Sequence, residues 1–303
     1  MDNSENYVAK QKTERFMKIG LVLEGGAKCG IFTAGVLDYM KNRLDMFSYI
    51  GGVSAGAGAA MDFVAEQPGR TKKVITPDKE NAYMGLDSLL RTGKFINLDY
   101  MAYDYTEKIF PFDFDTYFRN INEKGITVEY VCANCQTGKT EYLSESSDKD
   151  RLLKIIKASC SLPILCPPSE CDGNYYLDGS ITDAVPFERA LEWGCDKVIA
   201  VMTRPAGAHH TDYRKFSKVL KAMYGSKYPA VYECLMKRSA AYDKQEKIMK
   251  ALVKEGKVLV VRPQKKFSIS KFERSDKKLA ELYRHGYKLM HNKEKALTEF
   301  LAK

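Results

Sequence analysis

The sequence of 303 residues has no long apolar run. No stretch approaches the ~18 consecutive apolar residues that a membrane-spanning helix needs. Residues 1–17 are polar and lack the apolar segment of a secretory signal, so we expect a disordered tail there. Both absences favour a cytoplasmic protein. Hydrophobic residues still make up 45% of the chain, enough to bury the core of one large α/β domain with a smaller piece beside it.

Cysteine offers neither a disulfide framework nor a metal site. The eight cysteines are scattered through apolar or strand-like segments, which is typical of free thiols in a reducing compartment. The single C-x-x-C pair is Cys132 and Cys135, and a structural zinc site would need a second pair at similar spacing. We therefore expect no bound metal.

Histidine is scarce, and its distribution restricts the chemistry that the first two thirds of the chain can perform. All four histidines, His209, His210, His285 and His291, follow residue 205. A Ser-His-Asp triad would require one of them to fold back against a nucleophile far earlier in the chain. A base of another type has to be sought among residues 18–205.

The net charge of +9 is unevenly distributed. Residues 1–203 carry 23 Lys or Arg against 29 Asp or Glu, whereas residues 204–303 carry 25 against 10, a net of +15. This asymmetry predicts a boundary near Pro205. It would divide a domain at residues 18–205 from a basic region at 206–303, which the sequence pattern predicts to be mostly helical with one strand.

The segment Gly52-Val53-Ser54-Ala55-Gly56 is the central motif of the chain. Its G-x-S-x-G spacing, after a short apolar run and before a row of alanines, predicts a strand that turns sharply into a helix. Such a nucleophile elbow holds Ser54 in strained geometry and needs Gly52 and Gly56 where strand and helix pass too close for a Cβ atom. A flexible Gly/Ala loop is the alternative.

A second glycine-rich loop, residues 25–30, lies between an apolar strand and a helix. A P-loop is excluded because Ile31 and Phe32 follow Gly30 where lysine and serine or threonine should stand. A dinucleotide fingerprint is disfavoured because its glycine spacing differs. Two interpretations remain, namely a nest of backbone amides that stabilises an oxyanion and an ordinary turn.

Asp178 supplies a candidate base at the end of a predicted strand, directly before Gly179. A carboxylate is a weak base in water and must be desolvated or tightly coupled to the hydroxyl to accept its proton. The alternative is an Asp-Gly pair that only forms a turn.

Taken in order, the segments 25–30, 52–56 and 178–180 resemble the patatin-like phospholipase family. The resemblance covers about residues 18–205 and implies a three-layer α/β/α sandwich. It also implies a catalytic Ser-Asp dyad, with Ser54 as nucleophile and Asp178 as base, that requires no metal or cofactor. The family's oxyanion hole corresponds here to Gly25, Gly26, Ala27 and Lys28.

Three positions depart from the family pattern. Ala27 stands where a third glycine is usual, Cys29 where arginine is frequent, and Ser180 where glycine or alanine is usual. An alanine can still present its amide to an oxyanion when its φ is negative. The altered loop also motivates the alternative of a non-catalytic lipid-binding or membrane-peripheral regulatory protein on the same fold.

The resemblance implies a cytoplasmic serine hydrolase of phospholipids or other acyl esters, with acyl transfer to an acceptor other than water as a weaker alternative. The aromatic-rich residues 66–120 would form a packed cover or an apolar wall for an acyl chain. For the basic region we expect weak docking to an anionic membrane surface, at the inner face of the membrane. A solvated helical cap is the alternative, and nucleic acid is not expected because no binding motif accompanies the charge.

Overall fold

Alternation of apolar strands and helices along the chain produces a mixed β-sheet between helical layers. The computed structural model describes residues 16–208 and 211–302. The tail predicted at residues 1–17 therefore falls almost entirely outside the described residues, as do His209 and His210. The strands are β1 (Ile19–Leu23), β2 (Tyr49–Val53), β3 (Thr127–Asn134), β4 (Thr140–Leu143), β5 (Ser169–Cys171), β6 (Asn174–Asp178), β7 (Lys197–Val201) and β8 (Val258–Val261).

The sheet runs in the order β5-β6-β3-β2-β1-β7-β8, with β4 paired to β3. Strands β3, β2, β1, β7 and β8 are parallel, while β4 and β6 pair antiparallel with β3 and β5 pairs antiparallel with β6. In the register, Leu23 lies opposite Gly52, and Cys132 lies opposite Asp178. The ends of β1, β2 and β6 consequently meet at one edge of the sheet.

Helices connect the strands and cover both faces of the sheet. The α-helices are α1 (Ile31–Tyr39), α2 (Ala55–Val64), α3 (Arg70–Ile75), α4 (Leu86–Thr92), α5 (Phe114–Lys124), α6 (Lys149–Ser159), α7 (Phe187–Trp193), α8 (Ser217–Tyr224), α9 (Pro229–Lys254), α10 (Asp276–Asn292) and α11 (Glu294–Ala302). A π-helix spans Tyr100–Ile109, and short 3₁₀ helices span Ala27–Gly30, Leu44–Met46, Lys79–Asn81, Gly179–Ile181 and Tyr213–Phe216. In the described ranges, none of these helices is long and apolar enough to cross a lipid bilayer.

Side-chain alternation along β1 separates two apolar layers. Leu21 and Leu23 face a core built with α1, α2, α6 and α10, whereas Val22 faces a second core built with α7 and α9. All three side chains are fully buried. The fold class predicted from the sequence, a three-layer α/β/α sandwich of patatin type, is confirmed.

Part of the basic region lies against this sandwich. Strand β8 extends the parallel sheet beyond β7, and α10 crosses α1 with backbone against backbone. A Cβ atom on Gly35 would clash with the carbonyl oxygen of Tyr283, and one on Gly286 would clash with that of Phe32. The buried apolar positions of α10 and α11 are Leu279, Leu282, Leu289, Met290 and Leu297. The apolar side of these two helices is therefore occupied by the core.

Candidate active site

Ser54 occupies the turn between β2 and α2 in an unusual backbone conformation. Its φ is 54° and its ψ is −121°, a region that costs a residue with a side chain ~1–3 kcal/mol. The Ser54 amide donates to the hydroxyl of Ser159 at 3.0 Å, and this hydroxyl donates to the carbonyl of Val131 at 2.7 Å. These bonds anchor the strained turn to the end of α6 and to β3.

The two glycines that flank the turn permit close contact between backbone segments. A Cβ atom on Gly52 would lie 2.7 Å from Cα of Ala57. One on Gly56 would clash with the carbonyl oxygen of Leu23 and lie 2.9 Å from that of Glu24. Helix α2 therefore begins directly against the end of β1, and the first turn of the helix lies beside the glycine-rich loop.

Asp178 ends β6 and is 1% exposed. Its amide donates to the carbonyl of Ser161 at 2.8 Å, and its Oδ1 accepts from the amide of Ser180 at 2.9 Å. Its Oδ2 is buried and accepts no hydrogen bond from the described residues. Asp178 and Ser54 line the same cavity of about 360 Å³, so the fold brings together two side chains that lie far apart in the sequence.

The glycine-rich loop borders this cavity with Gly25, Gly26 and Ala27. A Cβ atom on Gly25 would lie 2.9 Å from Cβ of Ser54. Ala27 has a φ of +48°, so the condition of a negative φ is not met there. The reason is local, because Ala27 begins a 3₁₀ helix immediately after the extended Gly26 and the chain must reverse within one residue.

Lys28 is oriented differently from the three residues before it. Its amide, which the resemblance assigned to the oxyanion hole, donates to the carbonyl of Lys271 at 3.2 Å. Its ammonium group donates to the carbonyl of Ile75 at 2.6 Å. In the described structure no group accepts a hydrogen bond from the amides of Gly26 or Ala27. These two amides are therefore the available donors of the loop.

An apolar cavity of about 780 Å³ opens on another side of Ser54. In the aromatic segment that was predicted as a cover or an acyl-chain wall, Tyr83 packs edge to face on Tyr105 and also lines this cavity. The main apolar residues that line the cavity are Ala59, Met61, Val74, Ile75, Tyr83, Met84, Ile96, Leu98, Met101, Leu153, Ile156 and Leu162.

Cys160 is a neighbour of Ser54 that sequence reasoning missed. Its side chain lines the same apolar cavity as Ser54. Burial, and then the negative charge of Asp178, raises the pKa of this thiol far above its ordinary value, so it stays protonated and cannot act as a base. A cysteine at the end of an amphipathic helix carried no signal that distinguished it from a core residue.

Three basic side chains, Arg204, Arg238 and Lys271, also line the cavity that holds Asp178. Arg238 is 4% exposed and donates from Nε to the carbonyl of Ser180 at 2.7 Å. Arg238 and Lys271 fall in the predicted basic region, where no sequence motif assigns them to a site. Their only sequence signal was positive charge, which they share with many lysines and arginines on the surface.

The described histidines lie outside the lining of this cavity. His285 accepts a hydrogen bond from the amide of Gln264 at 3.3 Å and packs on Phe32, and His291 contacts Tyr39. Over residues 16–208 and 211–302, no three His, Cys, Asp or Glu side chains are grouped in a way that could hold a metal ion.

Comparison with known proteins gives two family matches and several relatives. Residues 228–302 match the model of a domain of unknown function (DUF6363). The uncharacterized protein YjjU of Escherichia coli is 33% identical over 199 residues, 64% of this chain and 54% of that protein. Lysophospholipase NTE1 of Kluyveromyces lactis is 29% identical over 188 residues, 60% of this chain and 12% of that protein.

This chain therefore spans about half the length of YjjU and a small part of NTE1. The crystal structure of VipD from Legionella pneumophila aligns with a TM-score of 0.47 at 14% identity, over 94% of this chain and 67% of that one. Residues 21–191 match the model of the patatin-like phospholipases, which covers more than half of the chain. The resemblance seen in the sequence is thereby confirmed, and the chain belongs to the patatin-like phospholipase family.

Proposed function

We propose that this protein is a serine hydrolase that cleaves acyl esters of lipids, with Ser54 as nucleophile and Asp178 as general base. One observation carries the proposal. The strained Ser54 and the buried Asp178 border one cavity, and Ser54 also borders an apolar cavity of about 780 Å³ that suits an acyl chain.

In the proposed reaction, Oγ of Ser54 attacks the ester carbonyl while Oδ2 of Asp178 takes the hydroxyl proton. Oδ2 accepts no hydrogen bond from the described residues, which supports this role, whereas Oδ1 already accepts one from the Ser180 amide. The amides of Gly26 and Ala27 stabilise the oxyanion. Asp178 then returns the proton to the departing alcohol. Water, deprotonated by Asp178, finally attacks the acyl-enzyme, Asp178 returns this proton to Oγ of Ser54 as the acyl bond breaks, and the fatty acid leaves.

Phospholipids and lysophospholipids are the proposed substrates. The family description names phospholipases, and the printed name of one relative is lysophospholipase. The apolar lining is consistent with this choice because it can accept one acyl chain beside the nucleophile. The competing proposal, a non-catalytic lipid-binding protein, draws its support from Ala27 and Cys29 in the altered loop.

Active-site labelling tests the proposal directly. A fluorophosphonate is expected to modify Ser54, because an activated serine beside oxyanion donors attacks tetrahedral phosphorus. Peptide mass spectrometry locates the label, and the Ser54→Ala protein, checked for its fold by circular dichroism, is the control. Labelling of a different serine, or none in the folded protein, would contradict the hydrolase proposal and favour the lipid-binding one.

We also propose that the protein docks weakly on anionic membranes, through a surface centred on α8. Three exposed apolar side chains lie along one side of this helix. They are Phe216, which directly precedes the helix, and Val219 and Met223 within it. Exposed lysines flank them at Lys215, Lys218 and Lys221. Such a helix can lay its apolar side in the interface while its lysines meet lipid phosphates. Tyr213, just before α8, packs under the guanidinium of Arg238, so this surface adjoins the cavity.

Vesicle co-sedimentation tests the docking surface. Binding is expected to rise with the fraction of anionic lipid and to fall steeply from low to physiological salt, since each nearby Lys contributes ~1 kcal/mol that ions screen. Replacing Lys215, Lys218 and Lys221 by Gln should abolish most of it. The same replacement of the exposed Lys247, Lys250 and Lys254 on α9 is the charge-matched control. Equal binding to neutral vesicles, or equal losses in both variants, would contradict this surface.

A further inference from the structure

We infer that the cavity beside Ser54 and Asp178 is a subsite for the phosphate of an anionic lipid headgroup, held by Arg204, Arg238 and Lys271. The inference rests on the proposed hydrolase function and adds the chemistry of the substrate that this chain prefers. It assigns a binding role to side chains that come from the end of β7, from α9 and from the segment between β8 and α10.

Arg238 provides the first line of evidence. It is 4% exposed, and two of its three nitrogens donate to Ser180, through Nε to the carbonyl at 2.7 Å and through Nη2 to the hydroxyl at 3.3 Å. Its Nη1 is buried and has no acceptor among the described residues. A buried guanidinium donor without an acceptor is costly, and an anion in the cavity that it lines would remove the cost.

Lys271 provides the second line of evidence. It lies in the irregular segment between β8 and α10, and its carbonyl is fixed by the amide of Lys28 while its side chain lines the cavity. Burial, followed by the positive charges of Arg238 and Arg204, lowers its pKa to about 8. Like charges brought together in a partly desolvated cavity repel one another, and a phosphate between them would reverse this repulsion.

The acidic groups that line the same cavity do not accept a hydrogen bond from Nη1 of Arg238. They are Glu24 and Asp178. Burial raises the pKa of Glu24, and its carboxylate already accepts from the amide of Thr203 at 2.6 Å and from the hydroxyl of Tyr242 at 3.1 Å. Neither carboxyl therefore supplies the acceptor that Nη1 of Arg238 lacks among the described residues, whereas the oxygens of a phosphate monoester in the cavity can supply it.

The position of Ser54 connects the two cavities. An ester carbonyl at Ser54 can therefore send its acyl chain into the apolar cavity and its phosphorylated alcohol towards the basic side chains. A neutral glyceride would fill the apolar cavity equally well but would leave Nη1 of Arg238 without an acceptor among the described residues. Discrimination between these two substrates is consequently the property to measure.

The test compares monohexanoylglycerol 3-phosphate with monohexanoylglycerol. Their short chain keeps both substrates monomeric, so docking on a lipid surface does not contribute. The wild-type kcat/KM is expected to be at least about tenfold higher for the phosphate ester, as charge-assisted hydrogen bonds of ordinary strength provide. Lys271→Gln should remove most of this preference, because it should lower kcat/KM for the phosphate ester far more than for the neutral ester. Lys277→Gln, which removes one exposed lysine of α10, should change neither.

Two further measurements separate binding from structural support. Lys271→Arg should restore the preference. In the wild type the preference should decline above about pH 8, as Lys271 loses its proton among Arg204, Arg238, Asp178 and the protonated thiol of Cys29. In Lys271→Arg it should persist to higher pH, because a guanidinium stays charged. Equal kcat/KM for both esters in the wild type, or a Lys271→Gln loss that is the same for both, would overturn the inference.

Calorimetry on the Ser54→Ala protein measures binding without turnover. It distinguishes a lipid headgroup from free phosphate as the ligand, and a failure of the hydrolase proposal from a failure of the phosphate subsite. Tighter binding of the hexanoyl phosphate ester than of inorganic phosphate supports a lipid headgroup, whereas equal binding overturns it in favour of free phosphate. If no ester is hydrolysed, the proposed function fails, but binding that Lys271→Gln weakens about tenfold still supports the subsite. Binding that Lys271→Gln does not weaken overturns it.

Discussion

Asp178→Asn is expected to lower kcat for a short acyl ester about a thousandfold, within the range that a general base contributes. Asparagine has nearly the same shape and can still accept the Ser180 amide at the Oδ1 position. It cannot take the Ser54 proton, because an amide has no basic oxygen at the place of Oδ2. Turnover of a p-nitrophenyl ester measures the loss, and circular dichroism establishes that the variant is folded.

The histidines are the controls for this prediction. Single His→Ala variants at positions 209, 210, 285 and 291 should retain most of the wild-type turnover. His285 and His291 lie on α10 and contact Gln264 and Tyr39 respectively. A loss at any histidine equal to that of Ser54→Ala would mean that the reaction uses a triad, and Asp178 would then orient a histidine.

Local sequence patterns were sufficient to predict the elbow, and the family resemblance implied the three-layer fold. The strand, turn and helix around Ser54 are contiguous, and their glycines are required by contacts that form within a few residues or with the adjacent strand. The βα units likewise predict a parallel sheet because each unit is local. The positive φ of Ala27 could not be predicted, since it depends on how tightly the loop enters its 3₁₀ helix and not on residue type.

The basic side chains of the cavity could not be found in this way. Arg238 and Lys271 reach Asp178's cavity only because β8 joins the sheet beside β7 and α10 packs on α1. The charge asymmetry of the sequence describes the outer surface of the helices, whereas their placement depends on the apolar side that faces the core. The residue type alone gives no information on which of many lysines points inwards.

Gly56→Ala is expected to lower the free energy of unfolding by about 3 kcal/mol, as overpacking of a tight contact does. The added methyl group would clash with the carbonyl oxygen of Leu23 and lie 2.9 Å from that of Glu24. Both oxygens are backbone atoms at the end of β1 or directly after it, so relief of the clash requires α2 to move away from the sheet. Chemical denaturation monitored by circular dichroism measures the change.

Gly58→Ala is the matched control, since Gly58 lies in the same helix and a Cβ atom there would have no neighbour within 4 Å. This variant should be more stable than the wild type by ~0.5–1 kcal/mol, because alanine is the better helix former. The two identical substitutions, two residues apart, are thus expected to have opposite signs. If Gly56→Ala were as stable as Gly58→Ala, the start of α2 would not lie against β1, and the elbow would lose the contact that fixes Ser54 beside the glycine-rich loop.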